Sequence, residues 1–261
     1  MTSSAPKPRL QAPLPGPVSF SPDGLAFDDT PRPGDTLMRR DEARLAAAEA
    51  GPAPTLLWYA WERPTITLGR LQDPAGALDE AACARDGIPV VRRPTGGRAV
   101  LHADEWTYGA IVPLDHPALG GSLAASCRAL VTLVTDALAE AYGIRFDANP
   151  RAKSRLEAGP DSACFTRAFG YEAVAAGRKL MGSAQRRSGR VLLQQGSLLV
   201  GPGHERLARW LLRPEPGAEA ALARGAITLT ELLGARPDPG PFRAALTRIW
   251  HERTRVGARF A

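Results

Sequence analysis

The stretch Arg92-Arg93-Pro94-Thr95-Gly96-Gly97-Arg98-Ala99-Val100-Leu101-His102 joins two short apolar runs through a paired-glycine turn and ends on a histidine. Its local reading is strand, tight turn, strand. Two adjacent glycines let the chain bend sharply and let a ligand approach main-chain N–H groups with no Cβ in the way. The flanking arginines supply forks that suit a carboxylate or a phosphate. A plain structural hairpin uses Gly-Gly for the same reason, so this segment alone leaves both readings open.

Further along, residues 164–197 (CFTRAFGYEAVAAGRKLMGSAQRRSGRVLLQQGS) place Cys164 and Lys179 on either side of a strand, near two glycine-rich turns. A cysteine accepts an acyl group only as thiolate, and a neighbouring ammonium favours that form. Lys179 is one of only three lysines, with Lys7 and Lys153, among 33 Lys+Arg. A lysine kept in so arginine-biased a chain suits a task arginine cannot do, such as moving a proton. Burial of a lone cysteine and solvation of a lone lysine account for the same residues without chemistry.

Outward from these segments, residues 1–34 are rich in Pro, Ser and Gly and read as an irregular arm, with one domain over residues 35–261. Helices are expected over 37–50, 77–86, 122–142, 205–212, 230–233 and 241–254. Strands are expected over 55–60, 65–68, 89–92, 107–112, 171–175, 178–181 and 191–200. The 122–142 segment is the clearest, with Ser122 as cap, apolar residues at helical spacing and Gly143 as stop. Cys127 falls on its apolar face and reads as an inert core residue. Strands outnumber helices and do not alternate strictly with them, which gives an α+β class: a mixed β-sheet with flanking helices.

Hydrophobic residues make up 44% of the 261, enough for a sizeable core. No run approaches the roughly 18 apolar residues of a membrane helix, and no signal-peptide core opens the chain. A cytoplasmic protein without a membrane partner is expected. Three cysteines and four scattered histidines offer neither a disulfide framework nor a metal motif, so no metal is assigned. The net charge of +6 favours acidic partners, but no basic run interleaved with aromatics points to nucleic acid.

The Arg92–Gly97 turn, His102, and the later Lys179–Ala184 segment together resemble the biotin/lipoate A/B protein ligase and acyltransferase family. Trp61, Pro64, Leu68, Gly69 and Gln72 resemble an upstream element of the same family, and Asp41-Glu42 its acidic pair in the first helix. The likeness runs from about residue 36 to about 212. Arg98, Glu105, Thr107 and Tyr108, with Cys164-Phe165 and Tyr171-Glu172, look most like the cysteine-dependent octanoyltransferase branch. Ala103 and Gln195 depart from it, standing where Asp and His are common.

The resemblance implies the fold of the biotinyl/lipoyl ligase catalytic domain, and catalysis by Cys164 and Lys179. It implies a substrate site built from Arg93, Thr95, Gly96, Gly97, His102, Gly182, Ser183 and Ala184. The implied reaction takes an octanoyl or lipoyl group from acyl carrier protein, through a Cys164 thioester, to a lysine of a lipoyl domain. That acceptor belongs to a 2-oxoacid dehydrogenase or is the glycine cleavage H protein. No cofactor is needed in this scheme. Three alternatives stay open: an ATP- and Mg-dependent lipoate–protein ligase, an amidotransferase between proteins, and a non-catalytic lipoyl-domain binder.

Overall fold

The computed structural model describes residues 18–51, 53–147 and 172–255. Cys164, Phe165 and Tyr171 lie outside the described residues, as do residues 1–17 of the expected arm.

Two sheets form the body. The larger has six strands in the order β1 (Leu25–Arg32), β2 (Thr55–Trp61), β6 (Glu105–Pro113), β9 (Val191–Leu199), β8 (Arg178–Ser188) and β7 (Ala173–Ala175). Only β1 and β2 run parallel, so the sheet is mixed. The smaller sheet sets β3 (Thr65–Leu68) between β4 (Val90–Arg92) and β5 (Val100–His102), parallel to β4 and antiparallel to β5. The α+β architecture expected from the sequence is therefore the observed one.

One face of the large sheet is covered by α4 (Leu123–Tyr142) and α7 (Pro239–Arg255). Ser122 caps α4 by accepting from the Ala125 N–H at 3.2 Å, and Gly143 ends it with φ 68°. Leu130, Val134 and Leu138 of α4 meet Phe242, Leu246 and Trp250 of α7 in the principal core. Each such side chain contributes about 1.5–3 kcal/mol on leaving water. Trp250 also donates from Nε1 to the Asp23 carbonyl at 2.8 Å, tying α7 to the start of β1. The other face receives α1 (Gly34–Ala48), whose Leu37, Met38, Asp41 and Leu45 are buried. α2 (Pro74–Ala77), α3 (Glu80–Arg85), a 3-10 helix (His204–Trp210) and α5 (Ala218–Gly225) surround the small sheet, and α6 (Leu229–Leu233) precedes α7.

Four sequence expectations change. Residues 25–32 are not irregular: they form the edge strand β1. Pro31 and two aspartates hid it, and such residues suit an edge because it needs no outward ladder. Residues 92–102 are not a hairpin. β4 and β5 lie on opposite sides of β3, and the glycine turn crosses the end of that strand. At the crossing a Cβ on Gly69 would stand 1.9 Å from the Gly97 carbonyl oxygen, so that position has no room for a side chain. Gly182 is not in a turn: β8 runs on to Ser188, with Gly182 paired to Ser197. Finally, α5 was not expected; it follows Pro214, Pro216 and Gly217, with Gly217 as its N-cap.

Candidate active site

A cleft with about 440 Å3 of empty space, open mouth included, lies between the small sheet and the α1 face of the large one. Its walls are Met38 of α1, Tyr59 and Trp61 of β2, Thr67 of β3, Arg93, Val100 and His102, Thr107 of β6, Gly182–Ala184 of β8 and Gln195–Ser197 of β9.

Two hydrogen-bond networks build these walls. In the first, Arg93 is buried and its fork spans the glycine turn. Nε and one terminal nitrogen donate to the Gly96 carbonyl, at 3.0 and 2.6 Å, and the latter nitrogen also reaches the Arg98 carbonyl at 2.7 Å. Its other terminal nitrogen donates to the Thr67 carbonyl at 3.1 Å and to Thr67 Oγ1 at 3.0 Å. Thr67 Oγ1 lies 2.9 Å from His102 Nε2, and His102 Nδ1 lies 2.6 Å from Glu105 Oε1. Trp61 stacks on the His102 ring at 4.1 Å between centroids and donates from Nε1 to Thr107 Oγ1 at 2.7 Å. The Thr107 hydroxyl donates to Glu105 Oε1 at 2.5 Å, and the Ser197 hydroxyl donates to Glu105 Oε2.

Arginine and tryptophan can only donate, so they set the direction of this network. Thr67 Oγ1 accepts from Arg93 and meets His102 Nε2, and His102 Nδ1 meets Glu105. Burial alone would raise the Glu105 carboxyl. The adjacent His102 charge, with hydrogen bonds from His102, Ser197 and Thr107, outweighs burial and holds it below its usual 4.5. A depressed carboxyl stabilises the fold above the ordinary glutamate pKa, and that stability is lost as pH falls through the folded value. Glu105→Gln is therefore expected to lower stability at neutral pH, with the deficit against the parent shrinking toward about pH 4 in urea titrations. A deficit independent of pH would contradict this reading of the carboxylate.

The second network begins at Asp41, fully buried on α1. Asp41 accepts from Tyr59 Oη at 3.0 Å, Gln195 Nε2 at 2.8 Å and Arg44 at 2.9 Å. Gln195 Oε1 in turn accepts from Thr95 Oγ1 at 2.7 Å, so α1 holds the glycine turn through β9. Burial and the neighbouring Asp41 push the Tyr59 hydroxyl far above its ordinary range, leaving it a neutral donor. Gln195 thus fills the place of a histidine with a neutral bridge that both accepts and donates. Gly196 beside it is required by Tyr108, whose ring would stand 2.1 Å from an added Cβ.

The structure brings together Arg93, His102, Gly182, Ser183 and Ala184 as cleft walls. Thr95 and Gly96 sit directly behind them, and Gly97 faces Ala184 at the rim, 3.9 Å from where its Cβ would be. Lys179 does not line the cleft. It is buried on β8, 4% exposed, with Nζ 2.5 Å from Glu172 Oε1 at the start of β7. Cys127 of α4 is half-buried, its Sγ 3.8 Å from Ser183 Oγ; burial raises its thiol, as expected of an unreactive packing residue. Trp61, Thr67, Glu105 and Ser197 were not assigned to the site from sequence. The spacing His-x-x-Glu at 102–105 was the available signal for Glu105.

Comparison with known proteins identifies the family to which this fold and cleft belong. Residues 34–249 match the lipoyl protein ligase A/B catalytic domain family, and the chain belongs to that family. An octanoyltransferase LipM of Moorella thermoacetica is 37% identical over 220 residues, covering 82% of this chain and 80% of the relative. The LipM of Kyrpidia tusciae is 37% identical over 208 residues, 76% and 75% of the two chains. These relatives place the chain among the octanoyltransferases of the family. A bi-partite lipoate protein ligase from Thermoplasma acidophilum shares the fold, with TM-score 0.64 at 18% identity over 89% of this chain and 84% of that one.

Proposed function

We propose that the chain takes an octanoyl group from acyl carrier protein onto Cys164 and passes it to a lysine of a lipoyl domain. The observation that carries this reading is the character of the cleft. The polar side chains of its walls turn their hydrogen bonds into the protein, leaving an apolar lumen suited to a saturated acyl chain. Support for the acceptor comes from the Thermoplasma acidophilum ligase, which is described together with its E2 lipoyl domain.

In this scheme the Cys164 thiolate attacks the thioester carbonyl, and the carrier's thiolate leaves and takes a proton. The acceptor lysine, as free amine, then attacks the acyl-enzyme. The new C–N bond replaces the C–S bond, Cys164 departs as thiolate, and the amine proton is lost. The Lys179 ammonium, displaced from Glu172 toward the carbonyl, stabilises the oxyanion and relays protons. No nucleotide enters. Octanoyl-acyl carrier protein and an unmodified lipoyl domain, mixed with the chain in the absence of ATP, are expected to yield octanoylated domain. Transfer that occurs only with ATP and free octanoate or lipoate would make the chain a ligase instead.

A further inference from the structure

Beside the cleft, the turn Gly69–Gln72 carries Leu71 into solvent with 86% of its surface exposed. Single exposed leucines are ordinary, but this one is held rigidly. Arg92 donates to the carbonyls of Gly69, Arg70 and Gln72 at 2.9, 3.0 and 2.8 Å. The Arg70 N–H donates to the Thr95 carbonyl at 2.8 Å, fastening the turn to the loop that walls the cleft. Just beyond lies α2, and across it Leu212, 42% exposed, whose N–H bonds to the Ala77 carbonyl at 3.1 Å. A groove with about 650 Å3 of empty space, open mouth included, runs between α2 and residues 211–213. Arg70, Arg92 and Arg213 are exposed around this surface, and among the described residues none of them has a carboxylate partner. The nearby Asp73 carboxylate is engaged in capping α2.

We propose that the Leu71 turn, extended by Leu212 and ringed by these arginines, is the docking surface for the acceptor, an acidic lipoyl domain. The proposal rests on the functional reading above and adds the surface that reads the partner. Arginines with no carboxylate partner among the described residues, set around a fixed apolar knob, fit an acidic domain with an apolar spot. The choice of acceptor over donor follows from reach. The acceptor's nucleophile hangs on four methylenes, so the folded body of that domain must press against the rim of the cleft. A thioester donor on a long prosthetic arm can dock farther away.

The test is titration of unmodified lipoyl domain into the full chain, followed by calorimetry, for the parent, Leu71→Asp, Leu71→Ala and Arg70→Glu. Leu71→Asp is expected to weaken binding by about tenfold or more, and Arg70→Glu to weaken it and flatten its salt dependence. The rate of acyl loading from octanoyl-acyl carrier protein should stay at the parental value in each. Unchanged affinity, or slower loading at unchanged affinity, would overturn the assignment, the latter making this the donor's surface. Binding is read without turnover. A parent that binds the domain in a Leu71-dependent way but never transfers an acyl group would sink the functional reading and leave the docking surface standing.

Discussion

Lys179→Ala is expected to cost about 3–5 kcal/mol of stability, because it takes the ammonium of a buried ion pair away from the Glu172 carboxylate. Both side chains are buried and their charged atoms lie 2.5 Å apart. The same substitution is expected to slow octanoyl transfer by about a hundredfold to a thousandfold, the usual cost of removing one oxyanion donor. The two losses are separable. Lys179→Met combined with Glu172→Gln removes both charges and should recover most of the denaturant midpoint while transfer stays slow. If the double variant regained activity along with stability, Lys179 would be a structural ion-pair member and no part of the chemistry.

Arg93→Ala is expected to destabilise the chain by about 3 kcal/mol, by baring the carbonyls of Thr67, Gly96 and Arg98 and freeing the glycine turn. Arg93→Lys should rescue little, since an ammonium cannot span the three carbonyls as a planar fork does. Because Thr67 would lose the donor that orients its hydroxyl, the polarity of the Thr67–His102–Glu105 chain should loosen too. Acyl binding is then expected to weaken more than the fold does. Urea unfolding beside octanoate titration would check this, and a Lys variant indistinguishable from the parent in both would refute the role of the fork.

The pattern of elements was readable where it was local. Ser122 and Gly143 bracket α4 by backbone chemistry that two residues suffice to announce. The motif turns were readable because glycine and arginine have few structural substitutes there. What the sequence hid was assembly at long range. Asp41, Thr95 and Gln195 are far apart in the chain, yet form one hydrogen-bonded path. Gln195 looked like a departure from the family pattern until its two bonds showed it bridging helix and turn. The strand–turn–strand of 92–102 was right element by element. The hairpin that it left open is not formed, because β3, more than twenty residues earlier, separates its two strands. Lys179 was singled out by type and motif, but its burial against Glu172 depends on β7, which linear spacing does not position.

Intact-protein mass spectrometry after mixing the purified chain with octanoyl-acyl carrier protein, without ATP, addresses the covalent step itself. The expected result is one octanoyl adduct that hydroxylamine removes, that Cys164→Ala abolishes and that an added lipoyl domain discharges. An adduct that persists in Cys164→Ala, or no adduct while transfer to the lipoyl domain still proceeds, would contradict a thioester on Cys164.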